Sequence, residues 1–405
     1  MFVTHLECSR CGATFESEQL INLCRCGAPL LVRYDLEQVK ARLARDDLAS
    51  RAPDLWRYRE LLPVKESENI VSLGEGMTPL LRLNRLGAEL GLSNLYMKDE
   101  GLLPTGSFKA RGAAVGVSRA KELGVKAVAM PTNGNAGGAW SAYCARARIE
   151  SVVVMPTSAP AIHRTECAVT GAKLYLVDGL ISDAGGIVGR AVTQRRYYDV
   201  STLKEPYRIE GKKTMGLELA EQFDWSLPDV ILYPTGGGTG LIGMWKAFAE
   251  LGEIGWLGDE GRPRMISCQS DGCAPISTAW AKGERFAEPF PDAATAASGL
   301  RVPAAVGDFM ILDAVNESGG QARDCPEASL LDWARRASAL EGIAFAPETG
   351  ACLGVLEQLV AENAIDPSER VVIFNTGAAQ KYVEVIGTQP LPTLAEPVDW
   401  TAMGG

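Results

Sequence analysis

From Ile70 onward, short runs of apolar and β-branched residues alternate with amphipathic stretches that are long enough for helices. This alternation constrains the fold most, because consecutive parallel strands need a crossover connection, and that connection is usually a helix. Strands are predicted at 94–98, 127–130, 151–155, 173–177, 230–233, 265–268 and 371–374, and helices at 108–123, 136–148, 162–170 and 181–195. The stretches 245–261 and 286–297 are predicted as loops or insertions. The predicted fold class is α/β with parallel sheets.

The composition narrows the classes of function. With 40 basic and 50 acidic side chains the net charge is −10, and we therefore expect no nucleic-acid partner. No run of about 18 apolar residues occurs and the first ten residues do not resemble a secretory signal, so we expect no membrane partner and a cytoplasmic location. The chain has two histidines, of which His163 is the candidate for a catalytic base. We expect His163 to lie on the surface or at the start of a helix, with the catalytic role as the less favoured alternative.

Four of the ten cysteines lie within the first 35 residues as two pairs: Cys8, Cys11, Cys24 and Cys26. The pairs are separated by 12 residues, a spacing typical of a zinc ribbon in which four thiolates surround one metal ion. A segment of this length buries too little apolar surface to be stable by itself, and a bound metal ion would supply the missing stability. We therefore expect a structural zinc ion, with a metal-free cysteine-rich cap as the alternative. The six scattered cysteines are expected to be buried free thiols.

Ligands of open parallel sheets bind beyond the carboxyl ends of the strands, so motifs directly after strands carry the most weight. The stretch PTGSFKARG at 104–112 follows such a strand and places Lys109 at the start of a predicted helix. A lysine is unfavourable there, because a helix N-terminus prefers an anion. A lysine that bonds an aldehyde as an imine, beside a phosphate-bearing cofactor, would explain the position. A solvent-exposed lysine is the alternative.

Three polar loops also follow predicted strands. The segment TGGGTG at 235–240 lets backbone N–H groups approach an anion at the positive end of a helix. Its spacing matches neither the Walker nor the dinucleotide motif, so we expect a single phosphate monoester, with a structural turn as the alternative. The asparagine loop (132–135, TNGN) and the stretch NTG at 375–377 could meet a hydroxyl, ring nitrogen or carboxylate, or serve only as turns and caps.

Together these motifs resemble those of the fold-type-II pyridoxal-phosphate enzymes, and of the threonine synthase family in particular. The resemblance spans almost the whole chain and also includes GEGMTPL at 74–80 and EGKKT at 210–214. It implies two parallel-sheet α/β domains and an N-terminal zinc-ribbon-like segment. We accordingly expect a zinc-ribbon-like segment at 1–35, a linker helix and strap at 36–70, a large cofactor-binding domain at 71–124 and 206–390, a small α/β domain at 125–205, and a tail at 391–405.

The resemblance also implies roles for the matching residues. Lys109 would bond the cofactor, pyridoxal 5′-phosphate, and later move protons, while Phe108 would lie beside the cofactor ring. Asn135 would bind the phenolic oxygen, and Thr376 would face the pyridine nitrogen with a neutral hydroxyl, which suits elimination and replacement chemistry. The cofactor phosphate would lie on Gly236, Gly237, Gly238 and Thr239. The substrate would be bound by Ser107, Thr132, Asn133, Gly134 and Asn135.

Four positions depart from the threonine synthase pattern, and all four concern the phosphate of the substrate. An acidic residue, a serine or threonine, and two asparagines of the family are replaced here by Ala110, Ala136, Glu205 and Gly240. The loss of polar donors and the gain of a carboxylate predict that a phosphate dianion binds more weakly by several kcal/mol, at about 1–3 kcal/mol for each charged hydrogen bond.

The resemblance implies elimination or replacement on a small-molecule L-amino acid, and the best single prediction is conversion of O-phosphohomoserine and water to threonine and phosphate. The alternative is a β-eliminating or β-replacing enzyme, such as a serine/threonine dehydratase (ammonia-lyase) or a cysteate-synthase-like enzyme. A non-catalytic scaffold that binds a partner protein through the ribbon is a third hypothesis, and it predicts purified protein without visible absorbance. A homodimer is the expected assembly.

Overall fold

The structure is a computed structural model that describes residues 2–195, 197–258 and 261–387, together with 393, 396 and 397. Nearly all of the predicted tail at 391–405 lies outside the described residues. The strands are β1 (Val3–Cys8), β2 (Thr14–Phe15), β3 (Leu30–Tyr34), β4 (Leu80–Arg82), β5 (Asn94–Asp99), β6 (Ala127–Pro131), β7 (Glu150–Pro156), β8 (Lys173–Val177), β9 (Tyr198–Asp199), β10 (Val230–Pro234), β11 (Arg264–Ser270), β12 (Gln321–Cys325) and β13 (Arg370–Asn375).

The α-helices are α1 (Leu36–Arg42), α2 (Asn84–Leu90), α3 (Lys109–Glu122), α4 (Asn135–Ala147), α5 (Ala161–Val169), α6 (Ile181–Arg195), α7 (Tyr207–Gln222), α8 (Thr239–Glu253), α9 (Pro275–Ala281), α10 (Asp308–Glu317), α11 (Glu327–Glu341), α12 (Pro347–Ala361) and α13 (Val383–Ile386). Short 3-10 helices lie at Arg45–Ser50, Leu55–Leu61, Ser67–Asn69, Glu100–Leu102, Ser298–Leu300 and Ala379–Tyr382.

A six-stranded sheet in the order β12-β11-β10-β13-β5-β4 carries the larger part of the fold. Its strands are parallel except for β4, which pairs antiparallel with β5 at the edge. The central strand β10 has the sequence VILYP and is buried along its whole length, as a parallel strand covered on both faces requires. Its side chains alternate between two cores: Ile231 lies in the core with α7 and α8, and Leu232 lies in the core with α11 and α12.

A four-stranded parallel sheet in the order β8-β7-β6-β9 forms a second unit. Helices α3 and α4 share a core with it that is rich in small residues. Gly116 of α3 lies against the ring of Trp140 on α4, because a Cβ atom at Gly116 would lie 2.6 Å from that ring. All four strands come from 127–199, which supports our proposal that 125–205 is a separate small domain.

The N-terminal sheet is antiparallel, in the order β2-β1-β3. Its fully buried side chains Leu6 and Val32 belong to the same core as Phe248 of α8. The hydroxyl of Tyr34 donates a hydrogen bond of 2.7 Å to Glu210 Oε2 on α7. The cysteine-bearing segment is therefore attached to the large sheet through α7 and α8.

All of the predicted strands and helices are present, with ends that differ by no more than two residues, and the structure adds elements that were not predicted, among them β4, β9, α7 and α9 to α12. Two of the differences have a clear cause. The stretch 245–261, predicted as a loop or insertion, in fact continues α8 as far as Glu253. The glycines of α8 obscure an apolar face formed by Leu241, Met244 and Phe248 at helical spacing. The second difference is β12, whose sequence QARDC is too polar to predict a strand.

Other predictions about the fold are confirmed. The stretch 286–297, all of it described, contains neither helix nor strand. The six scattered cysteines are buried free thiols: Cys144, Cys167, Cys268, Cys273, Cys325 and Cys352. Among the helices of the described residues, none has the length and apolar character needed to cross a membrane.

Candidate active site

A cavity of about 400 Å³ lies beyond the carboxyl ends of β6, β10 and β13. It is lined by residues from both parallel sheets, which places it at the interface between the two units. Nearly all of the predicted site residues line it together: Phe108, Lys109, Thr132, Asn133, Gly134, Asn135, Gly236, Gly237, Gly238, Thr239 and Thr376. Ser107 does not line the cavity, although it is fully buried beside it in a bridge to Gly377.

Lys109 is the first residue of α3, and its side chain reaches the cavity. Its Nζ atom lies 3.7 Å from the centre of the Phe108 ring. Burial, and to a lesser degree the positive charge of Arg208, lower the pKa of Lys109 to about 7, although Glu348 opposes the shift. At neutral pH the amine is therefore partly neutral, the form that attacks an aldehyde.

The backbone of the segment 107–108 fixes where Lys109 stands. The N–H of Phe108 donates a hydrogen bond of 3.0 Å to the carbonyl of Thr376. Behind α3, the fully buried guanidinium of Arg111 binds the carboxylates of Glu100 (2.6 and 2.8 Å) and Glu218 (2.5 and 2.7 Å). These charge-assisted bonds hold α3 against α7 and the 3-10 turn that follows β5, and so hold the start of α3 at the cavity.

The segment TGGGTG at 235–240, here called the glycine loop, joins the end of β10 to the start of α8. Gly238 has φ +69°, and a Cβ atom there would lie 2.2 Å from Ile311. At Gly236 a Cβ atom would lie 2.4 Å from the carbonyl oxygen of Gly299. Glycine is therefore required at both positions. The N-terminus of the 15-residue helix α8 follows directly, so backbone N–H groups and the helix dipole favour an anion here.

The asparagine loop leads from β6 into α4, which begins at Asn135. Asn135 Nδ2 donates a hydrogen bond of 3.0 Å to the hydroxyl of Tyr382. The buried Oδ1 atoms of Asn135 and Asn133 have no hydrogen-bond partner among the described residues. Thr132 Oγ1 accepts a bond of 3.1 Å from the N–H of Gly134 and so shapes the turn. The loop therefore presents polar groups that a ligand would satisfy.

Asn375 and Thr376 have different surroundings although they are adjacent. Asn375 is buried in the fold, where its Oδ1 accepts from Thr349 Oγ1 (2.7 Å) and its Nδ2 donates to Asp99 (2.8 Å). Thr376 lines the cavity. Asn375 therefore fixes the end of β13, and Thr376 is the residue of this pair that faces a ligand.

Five charged residues line the cavity, and sequence reasoning had found one of them as a site residue. They are Lys109, Lys204, Arg208, Arg301 and Glu348. Lys204 and Arg208 form ion pairs with Asp199 (3.4 Å) and Glu205 (3.1 Å), acidic residues that are not among those lining the cavity. Arg301 has no ion-pair partner in the described part of the chain. No motif marks these residues in the sequence, because they come from separate loops and helices.

The structure corrects the interpretation of the four departures from the family pattern. Glu205 accepts hydrogen bonds from the N–H groups of Tyr207 (2.9 Å) and Arg208 (3.0 Å), so it caps α7 and does not face the cavity. Ala110 is fully buried in α3. A Cβ atom at Gly240 would lie 1.9 Å from the hydroxyl oxygen of Tyr233, so no asparagine fits there. Ala136 alone among the four lines the cavity, and the predicted loss of several kcal/mol has little basis.

His163 is expected on the surface or at a helix start, and only the helix start is confirmed. It is the third residue of α5 and is completely buried. Its Nδ1 atom lies 3.5 Å from Glu166 Oε2. The ring lies against the asparagine loop, because a Cβ atom at Gly134 would be 3.2 Å from His163 Nε2.

The four N-terminal cysteines come together as one cluster. Their sulfur atoms all lie within 4.8 Å of one another. The Cys8–Cys26 and Cys11–Cys24 sulfur pairs are 3.5 and 3.6 Å apart. A tetrahedral zinc ion with Zn–S bonds of about 2.3 Å places its sulfurs about 3.8 Å apart, so the cluster fits one such ion. Four protein ligands leave no open position, which makes this a candidate structural centre.

Comparison with known proteins gives a family match over residues 71–377, to a family described as pyridoxal-phosphate dependent enzyme. Among curated proteins, the threonine synthase of Methanocaldococcus jannaschii is 36% identical over 375 residues, which cover 92% of each chain. The threonine synthase of Methanosarcina acetivorans is 35% identical, over 92% of this chain and 91% of the relative.

Solved structures show the same fold at lower sequence identity. Maize serine racemase superposes with a TM-score of 0.66 at 21% identity, covering 81% of this chain and 94% of the racemase. Threonine deaminase isoform 2 of Solanum lycopersicum gives a TM-score of 0.64 at 19% identity, covering 85% of this chain and 95% of the deaminase.

Proposed function

The chain belongs to the family of pyridoxal-phosphate dependent enzymes, and from this premise we propose that it converts O-phosphohomoserine and water to threonine and phosphate. The similarity to curated threonine synthases over nine tenths of the chain supports this reaction. The observation that carries it is the charge of the cavity: apart from Lys109, its lining includes three cationic residues, Lys204, Arg208 and Arg301, and one acidic residue, Glu348. A substrate with a phosphate as well as a carboxylate uses these cations, whereas serine and threonine bring a carboxylate alone.

The residues at the cavity fit the cofactor. The glycine loop packs too closely against Gly299 and Ile311 for side chains at Gly236 and Gly238, and it lies at the positive end of α8, as a phosphate requires. The carboxamide of Asn135 has one buried end that no described residue satisfies; with the amide turned so that Oδ1 accepts from the Tyr382 hydroxyl, the Nδ2 group faces this position and can donate to an oxygen of the cofactor. We propose that Gly236, Gly237, Gly238 and Thr239 hold the cofactor phosphate, Asn135 the phenolic oxygen, and Thr376 the pyridine nitrogen. Lys109 would bond the aldehyde, with Phe108 beside the ring.

When bound, the cofactor would supply an electron sink that lets protons be removed from the α carbon, which carries the substrate amine, and from the adjacent β carbon. Lys109 is suited to move these protons, because an amine with a pKa of about 7 accepts and returns a proton near neutral pH. The hydroxyl of Thr376 carries no charge at the ring nitrogen. A neutral partner there favours elimination and replacement over transamination.

We propose that the substrate carboxylate binds the asparagine loop through Thr132, Asn133 and Gly134, with Asn135 and the nearby Ser107. The substrate phosphate would be bound by Arg208 and Arg301. Arg208 is held in place by Glu205 and by Thr202, whose Oγ1 lies 3.2 Å from its guanidinium. Arg301 is the more available of the two, because in the described residues it has no acidic partner.

The test is a comparison of products. Purified enzyme is mixed with O-phosphohomoserine, and phosphate release and threonine formation are measured; keto-acid formation is measured in parallel from threonine and from serine. Equal release of phosphate and threonine is expected. Keto acid alone would make the enzyme a dehydratase. Lys109→Ala, which should abolish both the activity and the visible absorbance of the bound cofactor, serves as the control against the scaffold hypothesis.

The assembly and the location of the enzyme are also proposals. We propose a homodimer, which light scattering on the purified protein would show as twice the mass of the chain. A cytoplasmic location is proposed as well, and fractionation of cells that express the protein would test it.

A further inference from the structure

The 3-10 turn Ala379–Tyr382, here called the bridging turn, follows β13 of the large sheet and contacts α4 and α5, which pack beside the small sheet. Lys381 Nζ forms an ion pair of 2.7 Å with Glu166 Oε1 on α5 and donates a hydrogen bond of 2.8 Å to the carbonyl of Thr105. The hydroxyl of Tyr382 accepts the bond from Asn135 already described. The bridging turn thus contacts both the segment that precedes Lys109 and the helices that follow β6 and β7.

Glu166 extends this connection to the asparagine loop. Its second oxygen lies 3.5 Å from His163 Nδ1, and the His163 ring lies under Gly134. The same ring packs edge-to-face on Tyr382, with ring centres 6.5 Å apart. A continuous chain of contacts therefore runs from Thr105, four residues before Lys109, through Lys381, Glu166 and His163 to the asparagine loop.

Two glycines make room for the ion pair. A Cβ atom at Gly138 would lie 2.6 Å from Glu166 Oε2, and one at Gly106 would lie 3.2 Å from Lys381 Cδ. Gly106 also has φ +62°, which few other residues adopt. Larger residues at either position would displace the pair, so the glycines at 106 and 138 determine where the two side chains can meet.

The pair is costly to bury. The Lys381 residue is 6% exposed, whereas the Glu166 side chain is 25% exposed, so the cost of burial falls mainly on the lysine; burial lowers the pKa of Lys381, an effect that Glu166 opposes. Burial would raise the pKa of Glu166, but His163 and Lys381 hold it below its usual value. A buried ion pair contributes little net stability compared with apolar residues of the same size. Its presence here is better explained by the two elements that it joins.

We propose that Lys381 and Glu166 are positioning residues, whose ion pair ties the asparagine loop to the segment that carries Lys109. This link would fix the distance between the bound amino-acid carboxylate and the reacting amine. The inference rests on the proposed function, because it takes the asparagine loop as the carboxylate site. Neither residue is among those that line the cavity.

The test uses the holoenzyme and a double-mutant cycle of Lys381→Met, Glu166→Gln and the double variant. Each single variant should raise KM for O-phosphohomoserine about tenfold with kcat changed less than about threefold, and the double variant should be no worse than the worse single one. Unchanged KM values, or effects that simply multiply, would overturn the proposal. Glu150→Gln with Lys173→Met removes a more exposed pair of the same 2.7 Å length and should leave KM unchanged.

A conservative variant separates the link from mere stability. Lys381→Arg keeps the charge and should hold KM within about threefold of the wild type. If it raises KM as much as Lys381→Met does, the ion pair is not the link. If Lys381→Met does not fold, Glu166→Gln takes its place: it should raise KM about tenfold while Lys381→Arg does not, and equal KM values for these two variants would overturn the proposal. The dissociation constant of L-threonine, from the change in cofactor absorbance, gives a second measurement that does not depend on which substrate is turned over.

Discussion

Lys109 begins α3, and the residues around it decide its charge. Burial has the largest effect on its pKa, Arg208 and Lys381 lower the pKa further, and Glu348 raises it. With the usual pKa of 10.5 the amine would be almost wholly protonated at neutral pH. With a pKa of about 7 it is both a nucleophile and a proton carrier.

The rate at which cofactor-free enzyme takes up pyridoxal phosphate should therefore follow the titration of Lys109. Because the neutral amine is the reactive form, the rate should rise with pH through about 7 and level off above about pH 8. Stopped-flow measurement of the visible absorbance over this range is the direct check. A rate that keeps rising towards pH 10 would mean that Lys109 has an ordinary pKa.

Arg301→Met should weaken binding of the substrate phosphate while leaving the cofactor in place. The loss of one charged hydrogen bond, about 1–3 kcal/mol, corresponds to a rise in KM for O-phosphohomoserine of about 5- to 150-fold. Steady-state kinetics and the cofactor absorbance measure the two effects. Arg285→Met, at an exposed arginine that is not part of the cavity lining, is the matched control and should change neither.

Among the elements, α8 and the glycine loop before it determine where the cofactor phosphate can bind. The loop approaches α10 and the 3-10 turn Ser298–Leu300 so closely that side chains at Gly238 and Gly236 would collide with them. The helix and the loop are therefore one unit: the helix supplies the positive end, and the glycines let the anion and the neighbouring backbone come near.

Gly238→Ala should lower both the affinity for pyridoxal phosphate and the thermal stability of the enzyme. Gly238 has a positive φ, and the added Cβ atom would lie 2.2 Å from Ile311. The loop would therefore have to shift, and we expect the dissociation constant of the cofactor to rise about tenfold or more. Gly252→Ala, at the far end of the same helix, meets nothing within 4 Å and should leave affinity unchanged or raise Tm slightly. Equal behaviour of the two variants would contradict this role of the loop.

Prediction of elements from the sequence worked where local signals were strong. The helix that begins at Lys109 and the strand–glycine–helix unit around 235–240 have periodicity and turn residues that mark them. The second half of α8 and the polar strand β12 were missed, because glycines weaken a helical pattern and an edge strand can be polar. His163 does lie at a helix start, but its burial was not predicted, because its neighbours in sequence do not show what α5 is packed against.

At the scale of the whole molecule, two parallel sheets enclose the cavity and the cysteine-bearing segment is attached to the larger one. Leu6 and Val32 share a core with α8, so unfolding of this segment would uncover part of that core. The cysteine cluster lies in the same segment. A metal ion bound there would stabilise the large domain as well as the segment itself.

The purified protein should accordingly contain one zinc ion per chain, measured by mass spectrometry of the metal. Cys11→Ser should lose the zinc and lower Tm, because binding free energy of a structural zinc is also folding free energy. Cys273→Ser, at a buried cysteine outside the cluster, should keep the zinc whatever its Tm. If the wild-type protein contains no zinc, or if removing the zinc leaves its Tm unchanged, the metal-free cap is the correct interpretation.

The sequence by itself determined the α/β class and the motifs around Lys109, the glycine loop, the asparagine loop and Thr376, because these depend on periodicity and on residues adjacent in the chain. The tertiary structure alone decided which charges meet. Arg208, Arg301 and Glu348 reach one cavity from distant segments, and Glu205, which suggested repulsion, is turned away to cap α7. Local patterns fix elements, but the electrostatics of a site depend on distances through space, and these arise only when the elements pack.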